Sequence, residues 1–529
     1  MADIAKAEFL VPPARKSPIW RSTGGFPKDW SAFATRSLLD CVTNACTRET
    51  EGVALAGNTE RLTRGALLSR VRQVAAQVQR CVGPGQTLAT LLPQTPAGVA
   101  ALIGCAVAGR VCIVMNVSDP PERIRSILED AAPDVVLFDD VLLPDGPPAS
   151  GAKAIALSAC LAGDGDMAPV EGNPDAPCMV FFTSGSTGRP KGIVLSSYSI
   201  LMWAAFFISN KQLGPTDRYL VPSTISTAAS VASVLAGVAS GGTKLVVSVA
   251  TEGVGGMMRL AANEGVTVLS STAALLRTSR GLGLLPAALA QVRLVRFSGA
   301  GVTADEVAAW RTLLPAGCEI SHSYGSSEAT MIAEWRVPPS LLAEPRPVGV
   351  GRIVPGIDYA LLDVEGNPVS AGLVGQLHLR GRHIALGEWQ TGRLVPGRMR
   401  PDTAQPGIRM FPTGDLLSLD RDEVLHFAGR GDRQVSVNGV RVDLLEIEAV
   451  ILAETGVRDC AVIQAADSTL HAFVASCEDA TLQQRLRARL SAILPSPMRP
   501  RRIFRLDALP LLSSGKHDVH ALRILADPG

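Results

Sequence analysis

The feature that most constrains the fold is a regular alternation of short apolar strands and amphipathic helices. The segment LTRGALLSRVRQVAAQVQRCV carries apolar residues at helical spacing, and Thr63 stands where a helix cap is expected. The segments TLATLLPQ and VCIVMNV read as short buried strands, and PPERIRSILEDAA opens a further helix with proline. This rhythm predicts an α/β fold with largely parallel sheets.

The length of the chain and a change in its sequence pattern predict two domains. At 529 residues the chain is too long for one core. Residues 1–431 are predicted to form a large domain of stacked α/β subdomains, with strand-and-turn segments from about 346 to 431 forming a β-rich subdomain. Residues 432–529 are predicted to form a small, mobile α+β domain. Prolines predict an irregular lead-in over residues 1 to about 35.

Composition argues against several classes of partner. The net charge is +1 and aromatic residues make up 4%, so neither nucleic acid nor an anionic membrane is expected. The ten cysteines form no CxxC pair and the seven histidines no zinc pattern, which favours reduced thiols in a cytoplasmic protein. The N-terminal segment lacks the apolar core of a signal peptide.

One uncharged stretch, Tyr219 to Thr243, is long enough to cross a membrane. It contains Pro222 and is rich in Ser, Thr, Ala and Gly, so its mean hydropathy is modest. A buried helix with flanking loops is therefore expected there.

The segment FFTSGSTGRPKG, residues 181–192, delivers a strand into a loop of glycines and hydroxyls. Glycine lets backbone N–H groups converge on an anion, and Lys191 adds a mobile positive charge. The loop does not match GxxxxGKS or GxxxxGKT, because Pro190 precedes the lysine and Gly192 follows it. Taken alone, it is either a phosphate loop of another kind or a flexible linker.

The sequence TSGSTGRPKG resembles the nucleotide loop of the adenylate-forming superfamily, which includes acyl-CoA synthetases, luciferases and nonribosomal peptide synthetase adenylation domains. Four further segments resemble that family's motifs in its order: HSYGSSEAT, FPTGD, GRGD and LPLLSSGK. Two earlier segments, LTRGAL and VAGRVCIVMNVSDPPERI, also resemble family motifs, and the second, with the spacing, points to the peptide-synthetase branch. The chain is thus identified as similar to a free-standing adenylation domain.

The resemblance implies ATP and Mg²⁺ as cofactors. It implies that Tyr324 stacks on adenine, that Glu328 holds the metal and that Asp415 and Arg430 bind ribose. Thr183, Glu328 and Lys516 are the implied catalytic residues, and Lys516 would bridge the substrate carboxylate and the α-phosphate. The implied nucleotide-binding residues are Thr183, Ser184, Gly185, Ser186, Thr187, Gly188, Lys191, Gly299, Ala300, Gly301, Ser323, Tyr324, Gly325, Ser326, Ser327, Asp415 and Arg430.

The reaction implied by the resemblance has two halves. A carboxylate attacks MgATP to give an acyl-adenylate and pyrophosphate, and then a thiol displaces AMP. The small domain would adopt two orientations about a hinge at Asp432, with Gly439 lining the path of a phosphopantetheine thiol. A separate carrier protein is the first choice of acceptor, free CoA the second and a different acceptor the third. An inactive adenylate-binding scaffold is the alternative of another class.

The substrate pocket departs from the family pattern. Relatives that activate amino acids carry FDxS, whose aspartate pairs with the α-ammonium, and here Ala228 takes that position. The substrate is therefore expected to lack a free α-amine or to place it elsewhere. Arg296 either binds a second carboxylate or carbonyl or forms a structural salt bridge. Ser436 stands where many relatives have lysine. The aligned pocket positions are Ala228, Ala229, Ala232, Ser270, Arg296, Ser298, Ser323, Met331 and Ile332.

Overall fold

The structure is a computed structural model. It describes residues 20–170, 173–183, 190–272, 275–276, 279, 285–299, 302–341, 347–431, 434–465, 467–476, 481–510 and 517–526. The helices of these ranges are α1 Lys28–Ala34, α2 Leu38–Cys46, α3 Arg64–Cys81, α4 Pro96–Val107, α5 Pro121–Ala131, α6 Leu157–Leu161, α7 Ser197–Asn210, α8 Ala228–Ala239, α9 Val249–Glu264, α10 Leu285–Leu289, α11 Ala304–Arg311, α12 Leu444–Leu452, α13 Leu482–Ile493 and α14 Val519–Ala526.

The strands of the large domain up to its β-rich part are β1 Val53–Ala56, β2 Arg61–Thr63, β3 Thr87–Leu92, β4 Val111–Asn116, β5 Val135–Phe138, β6 Lys153–Ala156, β7 Pro177–Thr183, β8 Lys191–Ser196, β9 Arg218–Leu220, β10 Thr243–Leu245, β11 Val268–Ser271, β12 Leu294–Ser298, β13 Glu319–Ser326 and β14 Thr330–Arg336. The remaining strands are β15 Arg352–Ile353, β16 Asp358–Leu362, β17 Val374–Gly381, β18 Gly387–Gln390, β19 Arg393–Val395, β20 Arg400–Pro401, β21 Arg409–Leu419, β22 Leu425–Arg430, β23 Gln434–Val437, β24 Val440–Asp443, β25 Val457–Gln464, β26 Leu470–Ser476 and β27 Arg502–Leu506.

The first large sheet has eight strands in the order β19-β18-β8-β7-β4-β3-β5-β6. Strands β7, β4, β3, β5 and β6 run parallel, and every residue of β3 is buried. The strand–helix rhythm of the sequence is thereby confirmed, and so is the cap of α3, because the Thr63 hydroxyl accepts from the Ala66 N–H at 3.2 Å.

The second large sheet has nine strands in the order β15-β14-β13-β12-β11-β9-β10-β1-β2, with six consecutive parallel strands from β13 to β1. Its two faces enter different cores, as the two-residue alternation of a strand requires. Tyr219 and Val268 face the core shared with α7 and α8, whereas Leu220 and Leu269 face the core shared with α9.

The β-rich region forms a five-stranded antiparallel sheet of β16, β17, β20, β21 and β22. Strands β18 and β19 leave it and extend the eight-stranded sheet, where Trp389 pairs with Gly192. The confirmed class is therefore α/β with an added antiparallel sheet, and the β-rich region is interlocked with the first large sheet.

The C-terminal region carries its own apolar core, drawn from residues between Val437 and Ile503. It comprises the β23–β24 hairpin, the sheet β25-β26-β27 and helices α12 and α13. It docks on the large domain through a buried ion pair, Arg123 Nη1 to Glu446 Oε1 at 2.7 Å, which ties α5 to α12.

Two sequence expectations meet different outcomes. The irregular lead-in is wrong over Lys28–Ala34, which form helix α1, because Pro27 stands before the helix at φ −48° and Trp30 is buried. The stretch from Tyr219 to Thr243 contains the buried helix α8, as expected. Across the described residues, no helix is both long enough and apolar enough to cross a bilayer.

Candidate active site

The three residues predicted to bind adenosine form one cluster built by β13, β21 and β22. Asp415 and Arg430 are direct cross-strand partners, and the Arg430 guanidinium donates to one carboxylate oxygen while the Tyr324 phenol donates to the other. Asp415 is 4% exposed. Burial and the adjacent carboxylate of Asp415 raise the pKa of Tyr324 well above its usual value. These two donors hold the Asp415 carboxylate in place.

The HSYGSSEAT motif makes a sharp local turn. Gly325 lies at a register shift between β13 and β14, and a Cβ there would meet the Thr330 carbonyl oxygen at 2.3 Å. Only glycine fits such a close backbone approach. Ser326 Oγ accepts from the Ala329 N–H at 3.2 Å, which holds the turn before Glu328.

The loop predicted to bind phosphate connects the two strands of the β7–β8 hairpin. Thr183 and Lys191 are cross-strand partners at its loop end. The loop between them is only partly described, as are several other predicted positions. The predicted site residues outside the described residues are Ser184, Gly185, Ser186, Thr187, Gly188, Ala300, Gly301, Asp432 and Lys516.

Glu328 is fully buried and lies between two cations. Arg441 Nη1 donates to its two oxygens at 3.1 and 2.8 Å, and Lys191 Nζ lies 3.5 Å from Oε1. Burial by itself would raise the pKa of Glu328, but Arg441 and then Lys191 hold it far below its usual value. Lys191 also contacts Glu388 at 3.3 Å, so two carboxylates and two cations balance here.

The donor set around Glu328 fits Mg²⁺ only in company with substrate phosphates. Within the described ranges, no group of three or more His, Cys, Asp and Glu residues could hold a metal ion. Mg²⁺ in nucleotide sites is often held by one or two carboxylates and completed by phosphate oxygens and water, and one buried, ionised carboxylate meets that requirement.

The hairpin β23–β24 of the small domain contacts the loops that follow β11 and β12 of the nine-stranded sheet. Ser436 Oγ donates to the Gly299 carbonyl. Gly439 has φ +82°, and a Cβ on it would lie 2.2 Å from Thr272 Cγ2. Gly439 thus sits where the loops after β11 and β12 leave no room for a side chain.

The structure brings part of the predicted acyl pocket together. Arg296 Nη1 donates to Ser270 Oγ at 3.1 Å, and Nη2 lies 3.4 Å from Met331 Sδ. Ser298 and Ser323 are cross-strand partners one step nearer the nucleotide end. Ala228 begins α8 behind the cap Thr227. Of the remaining pocket positions, Ala232 and Ile332 are buried and Ala229 is half-buried.

Arg296 also forms a long ion pair, which is the structural alternative predicted for it. Its Nε lies 3.8 Å from Glu334 Oε2, which is beyond hydrogen-bond length. The Asn210 amide supplies Glu334 with closer donors, at 3.0 and 3.2 Å. Both terminal nitrogens of Arg296 remain directed at the pocket residues Ser270 and Met331.

With this geometry in view, two family models match the chain: AMP-binding enzyme over residues 42–389 and AMP-binding enzyme C-terminal domain over residues 446–516. The first match covers more than half of the chain. The chain belongs to the AMP-binding enzyme family. It is an AMP-forming ligase, with ATP as its nucleotide substrate.

Individual relatives of this AMP-binding enzyme include carrier-protein ligases and peptide synthetases. It is 29% identical to the L-proline:L-prolyl-carrier-protein ligase of Streptomyces coelicolor, over 88% of this chain and 92% of that protein. It is 29% identical to the probable non-canonical nonribosomal peptide synthetase CymA of Salinispora arenicola, over 84% of this chain but only 6% of that protein. The chain therefore corresponds to a small part of such multidomain relatives.

The fold of this AMP-binding enzyme is shared with solved adenylation structures. The fused adenylation–PCP di-domain NpsA-ThdA from Klebsiella oxytoca superposes with a TM-score of 0.75 at 22% identity, covering 89% of this chain and 94% of that chain. At that identity the likeness establishes the fold, in agreement with the large and small domains expected from the sequence.

Several residues of this AMP-binding enzyme's site were missed by sequence reasoning. Arg441, Glu388 and Glu334 each pair with a predicted site residue. Arg441 alone carried a signal, because it lies two residues after Gly439 in the same hairpin. Lys211 follows α7 and reads from sequence as a solvated helix end, yet it is fully buried.

Proposed function

We propose that this enzyme activates a carboxylic acid lacking a free α-amino group as its acyl-adenylate, and passes the acyl group to the phosphopantetheine thiol of a separate carrier protein. The observation that carries the proposal is that two charged clusters meet at the end of β13. Tyr324 in β13 contacts Asp415, which pairs with Arg430, and Glu328 in the turn after β13 contacts Lys191. These groups come from distant parts of the chain and suit a ribose and a triphosphate.

In the adenylation half, a substrate carboxylate oxygen attacks the α-phosphorus of ATP. A phosphorus–oxygen bond to it forms as the bond to the β-phosphate oxygen breaks, and pyrophosphate leaves. Asp415 would accept both ribose hydroxyls, and Lys191 would neutralise phosphate charge, which grows in the transition state. Mg²⁺, held by Glu328 together with phosphate oxygens, would supply further charge neutralisation. Lys516 is proposed to meet the α-phosphate.

In the transfer half, the carrier's thiol loses its proton and attacks the acyl carbonyl, and AMP departs with both bonding electrons. The docked β23–β24 hairpin supports assigning the observed arrangement to this half. Arg441 occupies the carboxylate of Glu328 that a phosphate-bound metal would need earlier. Gly439 packs its backbone directly against Thr272 and Gly299, and this docked position requires a residue without a side chain.

The absence of an α-amine in the substrate follows from Ala228. A buried ammonium without a counter-ion is costly, and Ala228 is 1% exposed and apolar. Amino-acid activation by an atypical pocket is a second candidate, favoured by similarity to a proline-activating ligase. Its substrate carries a secondary amine, so proline belongs in every substrate panel.

The decisive experiment is acid-dependent exchange of labelled pyrophosphate into ATP over amino, aryl, short-chain and dicarboxylic acids. An acid without an α-amine is expected to be the best substrate. Proline, alanine or leucine as the best substrate would contradict the reading of Ala228. Exchange with no acid at all would favour an inactive scaffold.

The acceptor is tested by following the acyl group from the enzyme's best acid. Loading of a phosphopantetheinylated carrier protein at a higher rate than thioester formation with free CoA is expected. The reverse preference would make the enzyme a CoA ligase. Lys516→Ala is expected to suppress exchange strongly while leaving ATP binding in place, and unchanged exchange would remove Lys516 from the mechanism.

A further inference from the structure

Arg296 of the predicted acyl pocket shares one buried face with two further cationic side chains, Lys211 and Lys244, and we name the three the basic cluster. Lys211 is 0%, Lys244 2% and Arg296 4% exposed. They line the face of the nine-stranded sheet that packs on α7 and α8, where apolar residues would be the ordinary occupants. Three charged side chains in such a place need an explanation.

The strand register shows that the basic cluster and its polar neighbours share one face. Ser270, Arg296 and Ser321 pair in a row across β11, β12 and β13. Lys244 and Tyr219 pair in the next row down, level with Val268, which lies two residues before Ser270. Two residues of rise separate the rows, about 7 Å.

Lys211 reaches the same place from the end of α7. Its ammonium lies 4.2 Å from the centre of the Phe207 ring, and the Arg296 guanidinium lies 5.2 Å from that ring. On the next row the Lys244 ammonium lies 4.8 Å from the centre of the Tyr219 ring. Aromatic faces thus hold the cations, but they do not supply hydrogen-bond acceptors.

Five buried polar atoms of this region have no hydrogen-bond partner among the described residues. They are Lys211 Nζ, Lys244 Nζ, Arg296 Nε, Tyr219 Oη and Ser321 Oγ. Arg296 has five N–H donors, but its hydrogen-bond acceptors are only the Ser270 hydroxyl and the weakly accepting Met331 thioether among the described residues. Buried donors of this kind are costly unless an acceptor arrives.

The only carboxylate that faces the cluster within the described residues is that of Glu334. Asn210 donates to both of its oxygens, and Arg296 is its long ion-pair partner. Arg336, the other nearby cation, pairs with Glu319 at 2.5 Å. Burial first, and then Arg296, lower the pKa of Lys211 well below its usual value, and burial lowers that of Lys244 to about 7. An anion beside Lys211 and Arg296 would favour the charged form of Lys211.

We propose that the acid activated by this enzyme is a short dicarboxylic acid, whose distal carboxylate binds Arg296 with Lys211 beside it. The inference rests on the proposed function, because it names the substrate of that same site. The carboxylate to be adenylated would lie at the level of Ser298 and Ser323, and the distal one a row deeper. The basic cluster also repels an ammonium, in accord with Ala228.

The test compares each diacid with its own monoamide, which has the same length and one charge fewer. Pyrophosphate exchange is measured with malonate, succinate, glutarate and adipate and with their monoamides. At least one diacid is expected to exceed its monoamide in kcat/KM by about 30-fold or more, because loss of one partner of a buried charge pair costs that much. A monoamide or simple fatty acid used as well as every diacid would overturn the proposal and leave adenylation standing.

Variants locate the effect. Arg296→Gln is expected to abolish the preference for the diacid, and Lys211→Met to reduce it, with thermal unfolding checking that each variant folds. The matched control is Arg61→Gln, an arginine at the far edge of the same sheet that pairs with Glu264. It is expected to keep the wild-type preference. An unchanged preference in Arg296→Gln and Lys211→Met would overturn the proposal.

Direct binding separates the two levels of inference. If no acid supports exchange, the proposed function fails. Calorimetric titration of glutarate and succinate into wild type and Arg296→Gln then decides on the anion site itself. Binding that is lost in the variant supports the site, and equal or absent binding overturns it.

Discussion

The predicted nucleotide end and the predicted acyl end of the site differ in how their charged side chains are paired. At the nucleotide end, Asp415 receives Tyr324 and Arg430, and Glu328 receives Arg441 and Lys191. At the acyl end, the three cations of the basic cluster face one carboxylate that already has closer donors. A paired site is preorganised, whereas an unpaired one is completed by its ligand.

The largest effect is expected from breaking the paired end. Asp415→Asn removes the charge that Arg430 and Tyr324 are arranged to meet, and it halves the acceptor capacity offered to ribose. The kcat/KM for ATP in pyrophosphate exchange is expected to fall by about 10²- to 10³-fold. Asp420→Asn, in the turn that follows β21, changes a half-exposed acid paired with His426; it is the control and should remain near wild type. A wild-type KM for ATP in Asp415→Asn would refute the assignment.

A smaller effect is expected where the small domain covers both ends. Gly439→Ala forces a Cβ to within 2.2 Å of Thr272 Cγ2 at φ +82°. Thioester formation is expected to fall roughly 10- to 100-fold while pyrophosphate exchange is retained, because the docking of β23–β24 is strained.

Thr272→Ser supplies the matched rescue for Gly439→Ala. It deletes the colliding methyl group but keeps the hydroxyl that accepts from the Leu275 N–H at 3.2 Å. The double variant should recover part of the thioester activity. Equal losses of exchange and transfer in Gly439→Ala would show that the glycine serves folding rather than docking.

The smallest effect is expected at the unpaired end and has the opposite sign. Lys244→Met replaces an ammonium without an acceptor in the described structure, so the free energy of unfolding at pH 7 should increase by about 1–3 kcal/mol. Burial lowers the pKa of Lys244 from 10.5 to about 7. Between these values the unfolded chain binds a proton that the folded chain does not, so wild-type stability rises with pH there.

Denaturant unfolding from pH 6 to 10 measures this pH dependence. The gain from Lys244→Met should be greatest below pH 7 and should shrink as the pH approaches 10. Lys153→Met, at an exposed lysine, is the control and should change little at any pH. A loss of stability in Lys244→Met would mean that the ammonium has an acceptor, and the contrast between the two ends would weaken.

Much of the nucleotide end could be predicted from the sequence because its groups belong to short local motifs. Gly325 belongs to a tight turn, and Asp415 lies in the FPTGD motif and pairs with Arg430 on the next strand. The pairing of Glu328 with Arg441 could not be predicted in that way. These residues are 113 positions apart and meet only through the docking of a separately folded domain.

The sequence by itself determined the strand–helix order, the nucleotide chemistry and the missing acid at Ala228, since each depends on residues adjacent in the chain. Only the tertiary structure decided that Lys211, Lys244 and Arg296 share one buried face. That face is made by the register of neighbouring strands and by the end of α7, and no local pattern encodes such a register. Burial of these cations is costly unless an acceptor pairs with them, and only the folded structure shows that they are buried.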